Sequence, residues 1–150
     1  MLLTDALLAI AHHLLVFALA VVLTMEIMVT RRDLAGSRLS YLSRLDIAFG
    51  AIAVGVLVIG IGRVLYGLKG PEYYVINEFF WAKMGAFLGV GLLSIIPTVT
   101  IIRWRGATRA DPEFRPQPAE VMTVRRFMHA EAMLFAFIPV FAALMARYGS

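Results

Sequence analysis

Hydrophobic residues along the chain gather into four blocks, with arginine-bearing polar stretches between them. A bilayer crossing takes about 20 mostly apolar residues. The blocks predict spans over 5–29, 45–66, 78–103 and 121–147, within a single domain 1–150, since four short-looped helices can bury their polar faces only against one another. The expected fold class is all-α: an integral membrane four-helix bundle with short loops.

The stretches between blocks carry their own signals. RRDLAGSRLSYLSR reads as a loop or a short interfacial helix, broken near Gly36 and Ser37. GLKGPEYYVINEFF ends the second span with Gly67, Gly70 and Pro71. It also places Tyr66, Tyr73, Tyr74 and Trp81 in an interfacial aromatic belt. RGATRADPEFRPQPAE holds three prolines and reads as an extended surface linker. Pro97 and Pro139 fall inside spans, where proline kinks a helix and frees a backbone carbonyl. Gly50, Gly55, Gly60 and Gly62 on span two and the Gly85–Gly89 pair on span three suit close helix approach.

Composition narrows the class. Hydrophobic residues make up 61% of the 150, against about 45–50% for a soluble domain. Cysteine is absent, which removes disulfides and thiolate chemistry. The first span lacks a basic leading region and a small-residue cleavage site, so no cleavable signal peptide is expected. The net charge of +4 belongs to loops flanking apolar spans and is an orientation signal rather than a nucleic-acid footprint. Of the 14 basic residues, Arg31, Arg32, Arg38, Arg44, Arg103, Arg105, Arg109, Arg115, Arg125 and Arg126 lie in or beside the first and third loops. The other four are Arg63, Lys69, Lys83 and Arg147. The positive-inside rule then expects a bacterial inner-membrane protein with both termini periplasmic and the arginine-rich loops cytoplasmic.

Ionisable residues at membrane depth are costly and face a bundle interior or a cofactor. At about 1.5 Å per residue, they sort into two layers. His12, Lys83 and Arg63 share the outer one, and Trp81 and Tyr66 are expected at the mouth of a cavity there. Glu26, Asp46, Arg125, Arg126, His129 and Glu131 share the inner one. His12 and Glu26, fourteen residues apart, fall within about 40° of each other on one helical face, whereas His13 is offset by about 100°. The inner set is expected to neutralise itself, Glu26 and Asp46 pairing with Arg125 and Arg126, with His129 and Glu131 in the same network. In the outer set Lys83 can snorkel toward water. A histidine at the depth of His12 needs a hydrogen-bond partner, a metal or a haem iron.

The strings AIAHHLLVFALAVVLTMEI, LDIAFG with GIGRVLYG, and YYVINEFFWAKMGAFLGVGLLSIIPT resemble the bacterial membrane family DUF2214 over nearly the whole chain. More distantly the chain resembles the CopD-like group, which includes the HemJ-type protoporphyrinogen oxidases. Their hallmarks are a histidine in the first span and a lysine in the third, preceded by a tryptophan. His12 and the Trp81–Ala82–Lys83 run match that pattern. This distant resemblance implies haem b; on the residues themselves His12 is then the expected axial metal ligand, Lys83 and Arg63 are expected to pair with haem propionates or an acidic substrate, and His13 is a reserve ligand.

The expected function is that of an integral membrane protein binding haem b and taking part in redox chemistry through His12 and Lys83, with catalytic residues unassigned. Two alternatives stand beside it. The CopD-like resemblance implies copper handling, for which Met25, Met28, Met122, Met128 and Met133, with His129 and Glu26, are the candidate ligands, thioethers being suited to Cu(I). A non-enzymatic membrane subunit, associating with itself or with a membrane redox partner through its glycine faces, needs no cofactor. The lipid bilayer is the expected environment, and no nucleic acid is expected as a partner. No nucleotide-binding loop, nucleophile elbow or zinc motif is present, which removes the common soluble enzymes.

Overall fold

The computed structural model describes residues 2–148; Met1, Gly149 and Ser150, which the 1–150 extent includes, lie outside the described residues. Helix α1 spans Leu2–Val29, α2 Gly36–Tyr66, α3 Gly70–Val75, α4 Glu78–Ala110, α5 Pro118–Phe135 and α6 Phe137–Tyr148. Four helical stretches are long and apolar enough to cross a membrane, α5 and α6 together forming the fourth. The described part of the chain is thus an all-helical membrane bundle. Leu2, Tyr148 and α3 lie at one end of the bundle. The turns at 30–35 and 111–117 lie at the other, the arginine end.

Two linkers are more helical than the sequence suggests. The Gly36–Arg44 stretch forms the first turns of α2, and Gly36, at φ 52°, supplies the left-handed conformation that starts it. The proline-bearing linker is reduced to 111–117, because α4 runs on to Ala110 and α5 begins at Pro118, where proline is tolerated in the first helical turn. Asp33 and Arg38 pair across the first turn at 2.6 Å, and that hydrogen bond holds the Asp33 carboxyl below its usual range.

The two span prolines behave differently. Helix α4 is unbroken through the buried Pro97. The fourth span is interrupted at Ala136, between α5 and α6. Pro139 has no N–H to return to residue 135, and its ring crowds that carbonyl, so the interruption falls where the lost hydrogen bond would have been.

Each span buries a narrow stripe. On α1 it is Leu19, Leu23 and Glu26, continued by Thr30 beyond its end. On α5 it is Val121, Val124, Met128, Glu131 and Phe135. The 3–4 residue spacing is the helical repeat. The remaining faces carry large exposed apolar side chains, among them Phe17, Val58, Leu88 and Val99, which suit lipid contact. Glycines set how closely the helices pack. A side chain at Gly55 would meet Leu15 at 3.4 Å, and one at Gly60 would meet the His12 ring at 3.3 Å, so α2 lies tight against α1. The Gly85–Gly89 pair divides: a Cβ at Gly89 would meet Leu134 Cδ2 at 2.6 Å, while Gly85 looks into open space.

This division predicts different outcomes at the two glycines. Gly89→Ile is expected to lower stability by about 1–3 kcal/mol through overpacking against α5. Gly85→Ala should leave it unchanged. Thermal unfolding of the purified protein in detergent checks both, and equal losses would show that the pair acts as one motif.

Candidate functional site

The buried stripe of α1 begins at His12, seven residues before Leu19. His13 falls outside it and is exposed, with its Nδ1 2.6 Å from the Ala9 carbonyl oxygen of the preceding turn. His12 instead lines a cavity of about 220 Å³ together with Arg63 of α2 and Lys83 of α4. Val56, Gly60, Tyr74, Phe80, Phe87 and Phe135 supply much of the wall. The lining includes no carboxylate. The cavity reaches the outer surface of the bundle along α2, where Leu57, Ile61 and Leu65 are exposed.

Each polar group is held there by local structure. Gly60 leaves room for the His12 ring against α2. The buried Nδ1 of His12 has no hydrogen-bond partner, and neither does the buried Nε of Arg63. Lys83 does not escape to water: its Nζ sits over the Phe80 ring, 5.4 Å from the centroid, a cation–π placement. Phe80 packs on Tyr74, with centroids 5.6 Å apart. Helix α3, which carries Tyr74, is tied down by the Tyr73 hydroxyl donating to the Met145 carbonyl at 2.9 Å. Segment 67–77 thereby caps the end of the bundle that carries the chain termini.

The aromatics that guard this cavity are Tyr74 and Phe80, not Tyr66 and Trp81. Tyr66 is exposed, and Trp81 faces outward with its indole N–H donating to the Val75 carbonyl at 2.9 Å. Trp81 is two residues from Lys83, so on a helix the two point about 160° apart. Placement by depth alone conceals that difference.

The inner layer departs further from expectation. Glu26 and Glu131 are almost fully buried, yet each leaves Oε1 without a partner. Asp46 accepts a hydrogen bond from Thr98 Oγ1 at 2.7 Å. Among the described residues the ion pairs are Arg38–Asp33 and Arg103–Glu120, so Arg125 and Arg126 do not neutralise these acids. The reason is helical phase. With Val121, Val124, Met128 and Glu131 turned inward, Arg126 lies about 170° away and Arg125 about 90° away. Arg126 and His129 are exposed, and His129 Nδ1 turns back to the Arg125 carbonyl at 2.7 Å. The expected Glu26–Asp46–Arg125–Arg126 network, with His129 as a member, is therefore not formed: Glu26 and Glu131 are buried without a cation, and the half-buried Asp46 is held by Thr98. Ionised carboxylates buried together without a cation are far costlier than neutral acids.

Two partners carry no signal in the sequence pattern: Thr98 for Asp46 and Glu120 for Arg103. Glu120 also accepts from the indole N–H of the buried Trp104 at 2.8 Å. The methionines do not converge: Met28 and Met133 face outward, and Met128 is buried beside the Thr30 hydroxyl. No cluster of three or more His, Cys, Asp or Glu suited to a metal ion occurs among the described residues.

A family model described as "Predicted membrane protein (DUF2214)" matches residues 4–149. No curated protein and no solved structure gives a significant match.

The phase argument yields a double-mutant test. Glu26→Gln, Arg126→Gln and their combination should give additive changes in unfolding free energy, within about 0.5 kcal/mol, with Arg126→Gln alone costing less than about 0.5 kcal/mol. A coupling above 1 kcal/mol on that scale would restore the ion pair.

Proposed function

The chain belongs to the DUF2214 family of predicted membrane proteins, and from the chemistry of its histidine cavity we propose that it binds haem b and serves membrane redox chemistry. One observation carries the reading. The cavity presents an unpartnered, buried imidazole nitrogen beside two side-chain cations, and no carboxylate lines it. Two unneutralised cations at membrane depth are expensive as structure alone. A dianionic, flat, apolar ligand answers each feature.

The donor set fits the group. A neutral imidazole is a standard haem ligand, so His12 would hold the iron. Arg63 and Lys83 would pair with the two propionates, the guanidinium suiting a carboxylate bidentately and the ammonium acting as a point charge. The apolar and aromatic wall excludes water from the macrocycle, and Gly60 keeps the imidazole from being pushed off α2. Haem so bound supplies one-electron chemistry, while the axial ligand and the dryness of the site set its potential. The distant likeness to the CopD-like group, through His12 and the Trp81–Lys83 run, supports the same choice of ligand. Trp81 faces away from the cavity, so its part in that pattern is not to touch the cofactor.

The orientation belongs to this reading too. The arginine end is cytoplasmic and the cavity lies toward the periplasmic side of the bacterial inner membrane, on the ten-to-four division of basic residues.

Purified protein expressed with ample haem is expected to show a Soret band. His12→Ala should abolish it, His13→Ala should keep it, and Lys83→Met should weaken haem retention by roughly tenfold, the value of one charge-assisted contact. A colourless wild type with an intact helical circular dichroism spectrum overturns the proposal.

For the orientation, Ser37→Cys in this cysteine-free chain should react with a membrane-impermeant maleimide only after the cells are opened. Labelling of intact spheroplasts from the periplasmic side reverses the assignment.

A further inference from the structure

A second cavity, of about 230 Å³, lies at the arginine end between α2 and α4. Arg44, Arg105 and Arg109 line it, along with Ser43 and Ile47. Neither ion pair found among the described residues uses any of these three arginines: Asp33 is taken by Arg38 and Glu120 by Arg103. No acidic residue lines the cavity. The three arginines are exposed and bring like charges around one concavity, an arrangement that an anion seated among them stabilises.

The depth of this cavity is informative. Arg44 stands immediately before Leu45, where the apolar run of α2 begins, and Arg105 stands three residues past Ile102, where that of α4 ends. These positions mark the hydrocarbon boundary, the level of phospholipid phosphates. Ser43 is buried and adds a hydroxyl donor. Ile47, one helical turn below Arg44, is exposed on the outer surface and continues the cavity as an apolar track. Guanidinium forks match phosphate oxygens bidentately, and basic cavities between membrane helices hold anionic head groups.

We propose that this cavity is a phosphate-binding site that takes the phosphodiester of an anionic phospholipid, the head group held by Arg44, Arg105 and Arg109 and an acyl chain running along Ile47. It is separate from the histidine cavity and does not depend on haem.

The test uses the full chain in a zwitterionic detergent. Native mass spectrometry counts retained lipid after exposure to phosphatidylglycerol or phosphatidylcholine, and a parallel thermal melt uses inorganic phosphate alone. Wild type should retain phosphatidylglycerol at least about tenfold more than Arg44→Gln/Arg105→Gln/Arg109→Gln, with no such difference for phosphatidylcholine. Arg31→Gln/Arg32→Gln, which removes two exposed charges from the same end but outside the cavity, should retain it like wild type. If the triple variant does not fold, Arg105→Gln is compared with the same control. Stabilisation by inorganic phosphate, lost in the cavity variants, would support the same phosphate site with a free phosphate as occupant. Equal retention by wild type and cavity variants, or equal loss in the Arg31/Arg32 control, overturns the site.

Discussion

In hydrocarbon a polar side chain has no water to fall back on, so it is either drawn into the bundle or carried out to the interface. In this protein that constraint fixes the rotation of each helix. On α1, His12 and Glu26 can both be sheltered only if the stripe through Leu19 and Leu23 faces inward. On α5, Glu131 and Met128 face inward and the arginines two and three positions beyond Val124 and Met122 swing away. Once the rotations are set, the glycines of α2 decide how near the helices come, and the space left among α1, α2 and α4 becomes the histidine cavity.

The span pattern, the all-helical class and the family were legible in the sequence, because each rests on long apolar runs and continuous strings of residues. The shared depth of His12, Arg63 and Lys83 followed from helical rise alone. What did not follow was pairing. Depth places Glu26 and Arg126 level, but only knowledge of which face α5 buries separates them. That face is set by side chains such as Val121 and Val124, whose inward role comes from packing against other helices. The same gap misplaced Trp81, level with the cavity yet turned from it. Helical extension at both arginine-bearing linkers was hidden for a different reason: Gly36 and Pro118 read locally as breakers, while here each starts a helix.

The bundle keeps its two kinds of buried charge apart. Cations with a histidine occupy the end beneath α3, and carboxyls occupy the half nearer the arginine turns, with the apolar middle of α1 between them. Lys83 lies over an aromatic face and Asp46 accepts from a threonine hydroxyl, while His12, Arg63, Glu26 and Glu131 each keep a buried polar atom without a partner. The separation leaves the histidine cavity with no carboxylate in its lining.

The exposed Leu57, Ile61 and Leu65 turn one rim of the histidine cavity to the apolar outer surface of the bundle, the side suited to lipid contact. A molecule entering by that rim would travel laterally through the lipid, and its effective concentration would be set by partitioning into a thin film about a few nanometres thick. A weakly binding but lipophilic compound could therefore saturate the cavity in a cell while seeming a poor ligand in a dilute detergent solution, and swelling the micelle volume alone would shift its apparent occupancy.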